Sequence, residues 1–125
     1  MDKEFSILIA DRNRHVREFL KREMTAEGYR VRLAKTGREV LKLAYLPEPL
    51  DLIILDLDLP DMEELPVFEK LENRIPTVPV VVHAFRSDYS NASAIPSTAT
   101  FVEKEGGSIE HLKKVIRNLL PNHSP

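Results

Sequence analysis

The chain has 125 residues, 42% hydrophobic and 30% charged, the make-up of a single globular domain long enough to bury its own core. A formal net charge of -2 gives no basic footprint for nucleic acid, and the absence of cysteine removes disulfides, thiolate metal sites and cysteine nucleophiles. No apolar run approaches the ~20 residues needed to cross a bilayer, and Met1-Asp2-Lys3-Glu4 resembles no signal peptide. A cytoplasmic domain without a membrane partner is expected.

Strands and helical patterns alternate along the chain, the order of a parallel sheet covered by helices. The first strand, Ile7-Leu8-Ile9-Ala10, ends in Asp11. Val16, Phe19, Leu20 and Met24 then recur at helical spacing, and Gly28 is the expected stop. Tyr29 to Leu33 alternates polar and apolar residues, as in a half-exposed edge strand. Thr36-Gly37-Arg38-Glu39 has capping-box form, and Val40, Leu41 and Ala44 supply that helix with a buried stripe.

The third strand, Leu52-Ile53-Ile54-Leu55, is continuously aliphatic, as in a strand buried on both faces, and runs into Asp56-Leu57-Asp58-Leu59-Pro60. Pro66 suits the first turn of a helix that turns Val67, Phe68 and Leu71 inward. Val80-Val81-Val82 is a fourth strand capped by His83. Arg86 to Ala99 is rich in turn-forming residues and at most weakly helical. Thr100-Phe101-Val102 is the fifth strand and runs into Glu103-Lys104. Ser108 is the expected cap of a last helix with the stripe Ile109, Leu112, Val115, Ile116 and Leu119. The expected domain covers residues 1–120, with a short tail at 121–125.

In an open α/β sheet, ligands gather at the carboxyl ends of the strands. Asp11, Asp56 and Lys104 would meet there, in outline a phosphate or metal site. Their order and strand context resemble the receiver domain of bacterial two-component response regulators, from about Phe5 to Leu120. The resemblance implies a flavodoxin-like, doubly wound, five-stranded parallel sheet of order 2-1-3-4-5 with helices on both faces. It also implies a magnesium-assisted phosphoryl transfer from a histidine kinase or histidine phosphotransfer protein, and a downstream protein target. Asp56, with Pro60 four residues on, matches the phospho-acceptor, Lys104 the lysine that pairs with the phosphoryl oxygen, Asp11 the first acid after strand one, and Phe101 the aromatic switch residue.

Four positions depart from the family pattern. Arg12 stands in place of the second acid, His83 in place of a threonine or serine, Glu105 in place of a proline and Glu64 in place of a glycine. Exchanging an acid for Arg12 moves the local charge by two units. At an effective dielectric near 20, each charge pair ~4 Å apart is worth ~4 kcal/mol, so a Mg²⁺ held by Asp11, Asp56 and Asp58 would be weakened. Arg12 either bridges Asp11 and Asp56 as a built-in cation or points into solvent. Asp58 is either an extra oxygen ligand or a solvated turn residue. His83 either faces a phosphoryl oxygen, with nearby carboxylates favouring its protonated form, or bonds to backbone.

Two other readings compete with an acceptor domain that is not an enzyme in its own right. The first is a phosphorylation-independent receiver that keeps the fold as a protein-interaction module. The second takes Asp56-Leu57-Asp58 as the aspartate-x-aspartate of a haloacid-dehalogenase-like phosphatase, a signature that belongs after the first strand rather than the third.

Overall fold

The computed structural model describes residues 4–85 and 95–120. Its elements are β1 (Ser6–Ala10), α1 (Arg14–Ala26), β2 (Arg30–Ala34), α2 (Gly37–Ala44), β3 (Leu52–Leu55), α3 (Val67–Glu72), β4 (Val80–Ala84), β5 (Thr100–Glu103) and α4 (Ser108–Leu119). The strands form one parallel sheet of order β2-β1-β3-β4-β5, the flavodoxin-like order expected.

The period of two along each strand divides the core. Ile7 and Ile9 of β1 and Ile54 of β3 face Leu20 and Met24 of α1 and Leu112 and Ile116 of α4. Leu8, Ile53 and Leu55 face the other way, against Val40 and Ala44 of α2 and Val67 and Leu71 of α3. All four residues of β3 are buried, which explains its unbroken aliphatic run. Each such aliphatic side chain contributes about 1.5–3 kcal/mol on burial. On the first face, Lys113 of α4 reaches Glu23 of α1 at 2.8 Å and Arg117 reaches Glu27 at 3.0 Å, strapping the two helices together.

The edge strand β2 is half-exposed, as its alternation requires. Phe19 departs from the expected α1 stripe and is 39% exposed. Thr36 caps α2 by accepting the Glu39 amide at 3.0 Å. The return bond of the box falls one residue early, from the Lys35 amide to Glu39 at 2.8 Å. Pro66 precedes α3 as its cap residue rather than opening its first turn. Ser108 is not the cap of α4; that place is taken by Gly107 at φ 84°, a left-handed backbone that glycine adopts without cost. In the stretch from Arg86 to Ala99, residues 86–94 lie outside the described residues, and 95–99 form bends and turns.

Candidate functional site

Central strands β1 and β3 end together, placing Asp11 and Asp56 side by side, 1% and 2% exposed. β5 delivers Lys104, whose amide donates to the Ala84 carbonyl at 2.8 Å. Its ammonium lies 2.8 Å from Asp11 Oδ2 and 3.4 Å from Asp56 Oδ2. The Asn13 amide donates to Asp11 Oδ1 at 2.8 Å, the Asp58 amide to Asp56 Oδ1 at 3.1 Å and the Arg12 amide to Asp56 Oδ2 at 3.3 Å. Every oxygen of the two buried carboxylates therefore has a donor. Burial raises the carboxyl of Asp11 above the ordinary aspartate value; the Lys104 contact pulls it down and the Asp56 charge pushes it up again.

Arg12 does not bridge Asp11 and Asp56. Lys104 already fills the space between them, and the Arg12 guanidinium lies at the rim, 3.7 Å from Asp58 Oδ2, with both side chains about 60% exposed. Asp58 thus faces a guanidinium and solvent at the rim of the site. Two positions not singled out in the sequence hold this loop. Asn13 caps α1 by accepting the amides of His15 and Val16, and Arg17 donates to the carbonyls of Asp11 and Arg12 at 2.8 and 3.1 Å. Asn13, directly before the helical pattern, was the available signal for the first. Arg17 carried none.

His83, next to last in β4, lies in the interior, 5% exposed, with Nε2 3.4 Å from Ser108 Oγ. Its Nδ1 is buried without a partner in the structure. Burial lowers its pKa to about 4, helped by the Lys104 charge and opposed by Asp56. The expectation that nearby carboxylates keep it protonated fails, because desolvation outweighs their attraction. Phe85, also unforeseen, places its ring 5.3 Å from the Lys104 ammonium. It lines a cavity of about 500 Å³ together with Asp11, Arg12, Arg14, Asp56, Asp58 and Lys104. Phe101 sits half-buried on β5, opposite Val82 of β4 and apart from that cavity.

The family profile described as the response regulator receiver domain matches residues 7–117. The chain belongs to the response-regulator receiver family. It is 32% identical over 120 residues to Response regulator MprA of Mycolicibacterium vanbaalenii, covering 95% of this chain and 52% of that protein. It is 34% identical over 111 residues to the Transcriptional regulatory protein KdpE of Mycobacterium tuberculosis, covering 87% of this chain and 48% of that protein. The chain thus spans about half the length of these relatives. The response regulator TrrA of Thermotoga maritima, solved in complex with Mg²⁺–BeF, superposes with a TM-score of 0.80 at 27% identity, covering 92% of this chain and 98% of that one.

Receiver domains are signalling domains phosphorylated by histidine kinases, and they commonly bind Mg²⁺ at the phosphorylation site. The donors present here do not fit that ion well. Both buried carboxylates are engaged by Lys104 and by backbone amides, and the third, Asp58, is turned toward Arg12. Among the described residues no group of three carboxylate or imidazole side chains is arranged to hold a metal ion. The aspartate pair of the phosphatase reading follows β3, not β1, and its second member is exposed beside Arg12. No helix of the described residues is long and apolar enough to cross a membrane.

Proposed function

We propose that this receiver domain accepts a phosphoryl group on Asp56 in a two-component or phosphorelay pathway. The observation that carries the reading is the Lys104 ammonium 3.4 Å from the buried Asp56 carboxylate, at the end of a central strand and open to a cavity. A carboxylate there is held in place and its developing charge is offset, which is most of what phosphoryl transfer demands of a protein. An Asp56 oxygen attacks the phosphorus of a phosphohistidine imidazole on the partner. A P–O bond forms as the P–N bond breaks, and the electron pair leaves with the ring nitrogen. Lys104 then faces the new phosphoryl oxygens. The donor is a histidine kinase or histidine phosphotransfer protein and the recipient of the signal a downstream protein, in the cytoplasm, with no nucleic acid contact by this domain. The domain spans 1–120, and its own chemistry is limited to accepting and losing the phosphoryl group. His83 and Phe101 act as switch residues.

The test is incubation with phosphoramidate, followed by intact mass measurement. A gain of one phosphoryl group that hydroxylamine removes, and that Asp56→Asn abolishes, is expected. No gain in the wild type would favour a phosphorylation-independent interaction module, the reading that Arg12 and the buried neutral His83 support.

A further inference from the structure

We propose that Arg12 is an anion-binding residue of the acceptor site. With Lys104, it holds a phosphoryl-type anion on Asp56 without a divalent cation. The proposal rests on the acceptor reading above and deepens it by assigning the counter-charge.

Charge balance is the first argument. The cavity over Asp56 is lined by three carboxylates, Asp11, Asp56 and Asp58, and by three full cations, Arg12, Arg14 and Lys104. Neutralisation that would otherwise call for a bound ion is already supplied by side chains. A phosphoryl-type anion adds negative charge to this balanced lining, so it needs a cation with uncommitted donors. Lys104 is pinned between Asp11 and Asp56.

Arg12 is held at its base and loose at its tip. Its own amide donates to Asp56 Oδ2 at 3.3 Å, while Arg17 holds its carbonyl at 3.1 Å and that of Asp11 at 2.8 Å. The loop that carries Arg12 is therefore fixed relative to the acceptor. The side chain, in contrast, is 62% exposed, and its guanidinium lies 3.7 Å from Asp58, beyond hydrogen-bond range. Arg12 and Asp56 line one cavity, and rotation of the Arg12 side chain would turn it from Asp58 toward an anion on Asp56. A planar fork of N–H donors fits the oxygens or fluorines of such a group better than a point charge does. Asp58 then acts as the resting partner of Arg12 rather than as a metal ligand.

The experiment is fluorine NMR of beryllofluoride bound to the whole chain, first in EDTA and then with added Mg²⁺, for the wild type, Arg12→Ala, Arg12→Asp and Asp56→Asn. Amide spectra check the fold of each variant. The wild type is expected to bind in EDTA, with little gain from Mg²⁺. Arg12→Ala is expected to bind roughly 10- to 100-fold more weakly in EDTA, the loss of a charge-assisted hydrogen bond. Arg12→Asp should bind only with Mg²⁺, and Asp56→Asn under neither condition. Wild-type binding that requires Mg²⁺ overturns the proposal and leaves the acceptor reading standing. Undiminished binding by Arg12→Ala in EDTA also overturns it. No binding by the wild type under any condition overturns the acceptor reading itself.

Discussion

Lys104→Met tests whether one ammonium holds the site together. The substitution keeps the aliphatic stem and removes only the charge. In the folded protein that charge lies 2.8 Å from Asp11 and 3.4 Å from Asp56, and all three side chains are less than a tenth exposed. At an effective dielectric near 20, the two attractions are worth about 6 and about 5 kcal/mol before the cost of desolvating Lys104 is set against them. Removing one partner of a buried ion pair leaves an uncompensated charge and typically costs about 3–5 kcal/mol. We expect that loss in urea denaturation followed by circular dichroism at pH 7, with an unchanged denaturant slope.

The pH dependence carries the sharper signature. Burial already raises the Asp11 carboxyl in the wild type, and loss of Lys104 raises it further. The folded variant then binds a proton that the unfolded chain, titrating near 3.8, does not. Its stability falls as pH rises through that window and recovers on acidification, so the gap to the wild type is widest above the raised pKa and closes toward about pH 4. A loss below about 1 kcal/mol, or one independent of pH, would refute the view that Lys104 neutralises a buried acid pair.

The buried neutral His83 should show itself in stability as well. Its folded pKa, about 4, lies below the unfolded value of 6.5, so the unfolded chain binds the extra proton between them and acidification through that window destabilises the fold. The full effect is of order 3 kcal/mol; the raised Asp11 works in the opposite direction, so the comparison is with His83→Thr, whose stability curve should lack this component, and parallel curves would count against it. Gly37→Ala would place a Cβ 2.9 Å from Asp61 Oδ1 and 3.0 Å from Val67 Cγ2. Overpacking of this kind costs about 1–3 kcal/mol, partly offset by a helix-propensity gain of up to ~1 kcal/mol. Asp61 accepts the amides of Gly37 and Arg38 at 2.6 and 3.0 Å, so a double-mutant cycle in urea should show the cost of the alanine shrinking in an Asp61→Ala background; additive effects would exclude the clash. Phe85, 55% exposed over Lys104, should slow water entry; Phe85→Ala is expected to shorten the lifetime of the phosphorylated form followed by intact mass after phosphoramidate is removed, and an unchanged lifetime would remove the ring from that role.

Most of the fold was legible in the sequence because burial follows periodicity. The aliphatic run Leu52–Leu55 could only be a strand covered on both faces, and the stripes through Met24, Val40 and Ile116 fixed which side of each helix is buried. Strand-end placement likewise brought Asp11, Asp56 and Lys104 to one edge, since parallel strands align their carboxyl ends. What the sequence left open were choices among neighbours that no pattern encodes. Arg12 had two reachable environments, and it was the short Lys104–Asp11 contact, made across the sheet from β5, that left it the rim and Asp58. His83 looked cationic beside two acids until its depth showed that desolvation outweighs their charge. Gly107 took the cap expected of Ser108 because a turn with positive φ preceded the helix, and Ser108 became a neighbour of His83 instead. Periodicity is a local property written along the chain. The charge state of a buried group and the partner of a long side chain depend on atoms distant in sequence, and only the packed structure supplies those.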